Sequence, residues 1–368
     1  MQKQVKSRLF SYLKRKGYKK ILLVIGNKSK KQKKIKNYIS LLNNLFTIEV
    51  YFKKAVNPEF DEAFLASRKI SKFKNDAIIA IGGGSVIDTA KLIAAFEKYS
   101  KKDAKNIAIG KKLIDKKIAP IIALPTTLGT GSEVTHFSVV YVKKKKYSLA
   151  SSKLKPLYYY LDPELTYSLS PYTIASSGFD ALSQAIESAW SIKSNYISRK
   201  YSYKAIKIIT KNIKKTLDSR DKYIRKKMLE AANLAGKAIN ITKTTAPHAL
   251  SYEIATMSNI AHGHSVALTL GYFFEINYFS NSTSLGLTKN KLKKRMNEIF
   301  RCLGVNNAAH AKNEWYKLMK ECKLETDINK LKLNSTKNIN RIVSSVNTER
   351  LKNHPVILTK DDYKKIFE

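Results

Sequence analysis

The stretch Asn75–Ala95 (NDAIIAIGGGSVIDTAKLIAA) constrains the fold of this chain more than any other part of the sequence. An apolar run, Ala77–Ile81, stops at Gly82–Ser85, and apolar residues then recur three and four positions apart. This order predicts a buried strand, a glycine turn and a helix. Glycines let the backbone approach a bulky anion, and the free N–H groups of a helix start attract it. The stretch therefore predicts a pyrophosphate site, although a tight connection alone would give the same pattern.

The neighbouring segments repeat this order of strand and helix. Strands are predicted at Lys20–Gly26, Thr47–Phe52 and Ile118–Leu124, and helices at Lys31–Asn44 and Glu59–Ser71. Such alternation is typical of a mostly parallel, Rossmann-like sheet with helices on both faces. Ligands of these sheets bind at the carboxyl ends of the strands. The polar loop 125–133 (PTTLGTGSE) follows one such end and offers hydroxyls and bare backbone to a phosphate or ribose.

The pattern changes after residue 161, where predicted strands nearly vanish. Long helices are predicted at Ser177–Lys193, Tyr201–Leu217, Ile224–Ala238, Lys289–Leu303 and Asn313–Cys322. Ser176 or Ser177 is the expected N-cap of the first of these helices. We predict an α/β dinucleotide-binding domain over residues 1–161 and an all-α domain over residues 162–368.

Composition narrows the class of protein. The chain has 368 residues, is 43% hydrophobic and carries a formal net charge of +41. Lysines and arginines are spread along the whole chain without a zinc-finger, basic-zipper or RNA-recognition pattern, so we expect no specific nucleic-acid partner. The positive electrostatic field of these side chains should still attract anionic ligands. Two cysteines and no apolar run near the roughly 18 residues of a membrane span predict a cytoplasmic protein.

The helical half carries a set of side chains that could bind a metal. Asp180, Gln184 and Glu187 are four and three residues apart, so they share one helix face. The same half holds His248, His262 and His264, and one carboxylate with two imidazoles is a reasonable set for a divalent metal. Spacing alone is a weak argument, because a lone histidine is more often structural. We assign that structural role to His136, His310 and His354.

Several segments in a fixed order together resemble the iron-containing (group III) alcohol dehydrogenases, a family related in fold to dehydroquinate synthase. They are GGGSVIDTAK (82–91), PTTLGTGSEVT (125–135), KYSLAS (146–151), LDPELT (161–166), SGFDALSQAIES (177–188) and the histidine pair at 248 and 262. The closing segment NHPVILTKDDYKKIF (353–367) is similar to the end of family members as well.

The resemblance implies NAD(P)H as the cofactor. Carried over position by position, it assigns pyrophosphate binding to Gly83, Gly84 and Ser85, with Asp88 nearby. It assigns the nicotinamide and ribose side to Thr126, Thr127, Thr130, Ser132 and Lys146.

Asn27 stands where many members of the family carry an aspartate that binds the adenosine ribose. A neutral side chain beside Lys28 and Lys30 would tolerate a 2′-phosphate. The sequence therefore slightly favours NADPH over NADH.

The resemblance also implies a metal site for Fe²⁺ or Zn²⁺ at Asp180, His248 and His262. Gln184 replaces a histidine usual in the family, so it is either a weaker fourth ligand or no ligand. Tyr252 replaces another usual histidine, and it either relays protons or packs. His264, two residues beyond a ligand, is the second candidate for proton relay.

The implied reaction is reversible hydride transfer between nicotinamide and a small aldehyde or alcohol. The segments TKTTAPHALSYEI (242–254) and AHGHSVAL (261–268) resemble the phosphonoacetaldehyde reductases of phosphonate biosynthesis, which form 2-hydroxyethylphosphonate from an anionic aldehyde. A short-chain alcohol or diol dehydrogenase is the alternative within the family. A synthase or lyase like dehydroquinate synthase is the alternative outside it. The expected partners are this small molecule and a second copy of the chain in a homodimer.

Overall fold

The computed structural model describes residues 2–346 and 351–367. The chain divides into two compact units. The first comprises Met1–Thr126 and Ser132–Ser168, and the second comprises Thr127–Gly131 and Leu169–Glu368. The domain boundary expected between residues 161 and 162 stays a prediction. Residues 162–168 group with the first unit, and part of the polar loop 125–133 groups with the second.

The first unit is built on a parallel sheet. Its strands are β1 (Lys20–Gly26), β2 (Thr47–Lys53), β3 (Ala77–Gly82), β4 (Ile121–Pro125) and β7 (Tyr158–Tyr159), in the spatial order β2-β1-β3-β4-β7. All four neighbouring pairs run parallel. The helices of this unit are α1 (Gln2–Arg15), α2 (Lys33–Asn43), α3 (Phe60–Ser71), α4 (Gly84–Phe96) and α5 (Lys101–Ala108).

Both faces of the sheet are buried. Leu22 and Ile78 belong to one hydrophobic cluster, whereas their neighbours Leu23 and Ile79 belong to the other. Side chains of a strand alternate between faces, so a strand covered on both sides is apolar without interruption. This explains why KILLVIG and AIIAIG could be predicted as strands. The predicted α/β fold with a Rossmann-like parallel sheet is confirmed.

A two-stranded antiparallel hairpin was not predicted. It pairs β5 (Phe137–Val142) with β6 (Lys145–Ala150). The turn residues Lys143 and Lys144 both have positive φ, at 49° and 65°. Asparagine and glycine usually occupy such turn positions, and a lysine run hides the signal.

The second unit is helical. Its helices are α6 (Pro171–Trp190), α7 (Tyr196–Asp218), α8 (Lys222–Thr242), α9 (Ala246–Ser258), α10 (His262–Phe279), α11 (Lys289–Leu303), α12 (Ala308–Glu321), α13 (Thr336–Ser344) and α14 (Lys360–Lys364). The predicted all-α character is confirmed for the described residues, in which an isolated bridge joins Thr283 to Val356. Nowhere in the described chain is a helix long and apolar enough to cross a membrane.

The predicted start of α6 was wrong. The helix begins at Pro171, and the hydroxyl of Ser170 accepts the backbone N–H of Thr173 as the N-cap. Proline is well suited to the first helical position, because its missing N–H would be unpaired there anyway. Ser176 and Ser177 lie one to two turns inside α6, where their hydroxyls donate to the carbonyl of Thr173.

Candidate active site

Three side chains from three helices of the second unit converge. One ligand atom each of Asp180 (α6), His248 (α9) and His262 (α10) lies within 4.8 Å of the other two. Asp180 and His248 are buried at 4% and 3% exposure, whereas His262 is half-buried. The cluster is therefore enclosed around Asp180 and His248 and more exposed at His262.

A glycine brings α10 this close to α6. A Cβ added to Gly263 would lie 2.6 Å from the Cβ of Asp180 and would overlap the backbone oxygen of Ser176. Any larger residue would push the two helices apart. Gly263, directly after His262 at the start of α10, thus allows the His262 ring to lie beside Asp180.

Carboxylates surround the imidazole of His248 on both sides. Its Nδ1 contacts Oε1 of Glu187, and its Nε2 lies 3.3 Å from Oδ1 of Asp180. Burial favours the neutral ring, but the charge of Glu187 and the hydrogen bonds with both carboxylates raise the pKa of His248 to about 9. The side chains of Asp180 and Glu187 thus share one helix face, as the sequence spacing predicted.

The His262 ring is held by a hydroxyl and an aromatic ring. Ser251 donates its hydroxyl to the carbonyl of His248 at 2.9 Å, and its oxygen lies 3.3 Å from Nδ1 of His262. The oxygen of Ser251 can therefore accept Nδ1–H, which leaves Nε2 of His262 as a lone-pair donor. The ring of Tyr252 stacks on His262, with centroids 5.4 Å apart and planes 2° apart.

Gln184 supplies a test of whether this cluster fits a metal. Burial raises the pKa of Asp180, but the hydrogen bond from His248, the charges of His262 and His248 and a hydrogen bond from Gln184 lower it overall. The Oε1 of Gln184 is buried and has no hydrogen-bond partner among the described residues. A buried acceptor without a donor is costly in a protein interior. A carboxylate, two imidazoles and this amide oxygen suit a divalent cation, so the residues fit the predicted metal.

His264 contacts residues outside the cluster of Asp180, His248 and His262. Its Nε2 lies 2.7 Å from the carbonyl oxygen of Glu325, and its Nδ1 lies 3.3 Å from the hydroxyl of Tyr172. The same hydroxyl accepts the backbone N–H of Ala261 at the start of α10. Burial lowers the pKa of His264. These contacts favour a structural role over the predicted proton relay.

In the first unit, the glycine turn leads into a helix as predicted. Gly83 is the N-cap of α4, and Gly84 and Ser85 form its first turn. The hydroxyl of Ser85 donates to the carbonyl of Val56 at 2.6 Å. The backbone N–H groups at the start of a helix are suited to bind an anion, and pyrophosphate binding at this turn stays a prediction.

A buried network joins α4 to the chain after β4. Asp88 accepts hydrogen bonds from the hydroxyl of Ser132 and, at 3.0 Å, from the N–H of Val139. Lys91 is completely buried, and its Nζ donates to Ser132 at 3.1 Å and to the carbonyl of Phe137 at 2.8 Å. Burial lowers the pKa of Lys91 to about 8 despite the attraction of Asp88. The network fixes Asp88 and Ser132 relative to each other.

Most of the other predicted cofactor residues lie at the carboxyl ends of strands or in the loops that follow, whereas Lys146 lies near the start of β6. Asn27 is exposed and directly follows β1, and the N–H of Thr126 donates to the carbonyl of Gly82 at 3.0 Å. Lys146 lies on β6, where its charge acts on Asp88. Thr127 and Thr130 group with the second unit. The side chain of Lys28 lies outside the described residues.

Family models decide what this chain is. The model of iron-containing alcohol dehydrogenase matches residues 1–163. The model of the Fe-containing alcohol dehydrogenase family, C-terminal, matches residues 174–368. The chain belongs to the iron-containing alcohol dehydrogenase family.

Individual relatives span several substrates. Long-chain-alcohol dehydrogenase 1 of Geobacillus thermodenitrificans is 33% identical over 268 residues, which are 72% of this chain and 64% of the relative. Phosphonoacetaldehyde reductase of Streptomyces viridochromogenes is 32% identical over 226 residues, which are 59% of this chain and 57% of the relative. The chain thus spans less than two thirds of the length of these two relatives.

A solved structure extends the similarity over nearly the whole chain. The sulfoacetaldehyde reductase from Bifidobacterium kashiwanohense, in complex with NAD⁺, is 30% identical with a TM-score of 0.87. The similarity covers 97% of this chain and 92% of that one. The resemblance inferred from the sequence segments is therefore confirmed.

Within this member of the iron-containing alcohol dehydrogenase family, the sequence pattern alone missed three residues that support the two candidate sites. Lys91 belongs to the motif GGGSVIDTAK, Glu187 belongs to a predicted helix face, and no sequence pattern points to Ser251. The position of Lys91 within an apolar helical segment does indicate a functional or structural role, because a lysine buried there needs hydrogen-bond or charge partners. The sequence carried no signal for Ser251, because its role depends on how α9 meets α10.

Proposed function

We propose that this protein is a metal-dependent, NAD(P)H-linked alcohol dehydrogenase that works as an aldehyde reductase. The convergence of Asp180, His248 and His262 in a chain of this family is the observation that supports the proposal.

Asp180, His248 and His262 would hold the metal, Fe²⁺ or Zn²⁺, with the amide oxygen of Gln184 as a weaker fourth donor. When bound, the metal supplies Lewis acidity that stabilises negative charge on an aldehyde oxygen. The half-buried His262 and Tyr252 form the open side of the cluster, so the substrate would approach there. The hydroxyl of Tyr252 would exchange the proton of the alcohol.

The N-terminal turn of α4 would bind the cofactor pyrophosphate. Gly83, Gly84 and Ser85 present their backbone to it, while the network of Asp88 and Ser132 holds the neighbouring loop. The neutral Asn27 at the end of β1 is the reason to expect NADPH to be accepted at least as well as NADH.

The substrate that we favour is a short aldehyde bearing an anionic group, phosphonoacetaldehyde in the first place. Two relatives are named for such aldehydes, the phosphonoacetaldehyde reductase and the sulfoacetaldehyde reductase. A net charge of +41 also favours an anionic substrate. The long-chain alcohol dehydrogenase among the relatives supports the alternative, an uncharged alcohol or aldehyde. A homodimeric assembly and a cytoplasmic location stay predictions.

The deciding experiment assays a panel of aldehydes with NADH and NADPH after loading the protein with Fe²⁺ or Zn²⁺. We expect reduction of phosphonoacetaldehyde with net consumption of NADPH, and its loss in the variant His248→Ala. Activity on butyraldehyde with none on the phosphonate would reject the substrate. Turnover without net cofactor consumption would indicate the synthase or lyase alternative, and full activity of the chelated, metal-free protein would reject the metal.

A further inference from the structure

Glu187 is a buried carboxylate that the proposed metal site does not use as a ligand. It lies on α6, the helix that carries Asp180, and its exposure is 0%. One carboxylate oxygen, Oε1, contacts Nδ1 of His248. A charge buried this deeply is costly unless hydrogen-bond donors surround it.

Such donors surround the second oxygen of Glu187. Oε2 accepts the backbone N–H of Thr245 and, at 2.8 Å, the hydroxyl of the same residue. The indole N–H of Trp190 donates to that hydroxyl at 3.0 Å. Each group in this row donates to the next, from Trp190 through Thr245 to Glu187. The carboxylate plane is thereby fixed from three directions.

This arrangement determines which nitrogen of His248 is available to a metal. In the neutral ring that binds a metal, Nδ1–H donates to Glu187 and Nε2 carries the lone pair, and Nε2 is the atom that lies 3.3 Å from Asp180. A histidine that binds a metal commonly donates its other N–H to a carboxylate, which orients the ring and raises its basicity.

We infer that Glu187 is a positioning residue that aligns His248 for the metal and supplies the second negative charge of the centre. The two negative charges of Asp180 and Glu187 then balance the charge of a divalent cation, while the two imidazoles stay neutral. The inference rests on the proposed function, since it requires a metal at Asp180, His248 and His262.

The experiment measures metal binding directly, so it does not depend on turnover. Metal-free protein is titrated with Co²⁺, whose visible absorption reports the ligand geometry, and with Zn²⁺ against a chelator. The variants are Glu187→Gln, which keeps the shape and removes the charge, and Ser183→Ala as a matched control. Ser183 lies on the same helix, and its hydroxyl is buried without a partner in the described residues. Circular dichroism checks that each variant is folded.

We expect Glu187→Gln to bind Zn²⁺ about 10- to 100-fold more weakly and to change the Co²⁺ spectrum, with Ser183→Ala unchanged. In a His248→Ala background, Glu187→Gln should have little further effect, because Glu187 acts through His248. If Glu187→Gln does not fold, Thr245→Val, which removes one donor to the carboxylate, should still weaken metal binding.

The outcomes separate this inference from the proposed function. Wild-type affinity and spectrum in Glu187→Gln, or in Thr245→Val where it serves as the substitute, would overturn the role of Glu187 and leave the proposed function intact. An equal loss with and without His248 would also overturn it, because Glu187 would then act on the helix as a whole. A wild-type protein that binds no divalent metal would reject the proposed function itself.

Discussion

Gly263 faces Asp180 so closely that an added Cβ would lie 2.6 Å from the Cβ of that aspartate. This contact predicts that Gly263→Ala will separate α10 from α6 and move His262 away from its partners. We expect a loss of about 1–3 kcal/mol in the free energy of unfolding, because overpacking strains a close-packed interior. We also expect weaker metal binding, measured by chelator competition, together with a lower kcat.

Gly286→Ala is the control for this substitution. Gly286 has a φ of +87° and no atom within 4 Å of an added Cβ. The variant should lose roughly 1 kcal/mol through backbone strain and keep its metal affinity. Equal metal affinity in the two alanine variants would show that the approach of the helices does not set the position of His262.

Cofactor preference should respond to a single charge at the end of β1. Asn27→Asp places a carboxylate at an exposed position, where it would repel a 2′-phosphate. We expect kcat/KM with NADPH to fall about tenfold or more, with little change for NADH. A wild-type protein that already prefers NADH by about tenfold would contradict this interpretation of Asn27.

The stacked ring of Tyr252 offers a test of proton transfer. Tyr252→Phe keeps the stack on His262 and removes only the hydroxyl. If that hydroxyl exchanges the proton of the alcohol, kcat should fall about 10²-fold while metal affinity stays the same. Tyr252→Leu, which also removes the stack, should additionally weaken metal binding. Full activity of Tyr252→Phe would assign the ring to packing alone.

The loss of folding stability at acid pH should depend on His354, one of the histidines with a predicted structural role. Its ring lies between Trp190 and Phe273, and burial lowers its pKa to about 3. In the unfolded chain the same group titrates near pH 6.5, so below that pH the unfolded state binds the extra proton. Stability contributed by the neutral ring is therefore lost as the pH falls from about 6.5 toward 3.

His354→Phe should remove this loss. Between pH 7 and pH 5 we expect the free energy of unfolding to fall by about 2 kcal/mol less in the variant than in the wild type. Urea unfolding at the two pH values measures the difference. His310→Gln, at an exposed position of α12, is the control and should behave as the wild type. Equal acid sensitivity of His354→Phe and wild type would contradict the prediction.

Local patterns predicted the sheet better than they predicted helix ends and turns. The predicted and observed bounds of β1 coincide, because a strand buried on both faces is apolar throughout. The start of α6 was placed too late, because Ser170 and Pro171 form the cap outside the apolar pattern. The hairpin turn at Lys143 and Lys144 gave no signal, since neither residue is typical of a turn.

The candidate metal site could be predicted only in part. Spacing placed Asp180 and Glu187 on one face, but the resemblance to a family was needed to single out His248 and His262. Which groups orient those rings depends on where α9 and α10 meet α6. Contacts such as that of Glu187 with His248 join residues far apart in the sequence, and periodicity carries no information about them.

The segment Thr127–Gly131 makes the helical unit depend on a part of the chain that precedes its own helices. An added Cβ at Gly129 would lie 2.6 Å from the backbone oxygen of Ser177, and one at Gly131 would lie 2.4 Å from the Cα of Gly236. The helical unit therefore includes a short segment encoded well before its own helices. A gene fragment that starts at residue 169 would produce those helices with the backbones of Ser177 and Gly236 uncovered. Recombination between relatives at that point would likewise pair a loop from one parent with helices from the other, so Gly129 and Gly131 must be inherited together with the helices they touch.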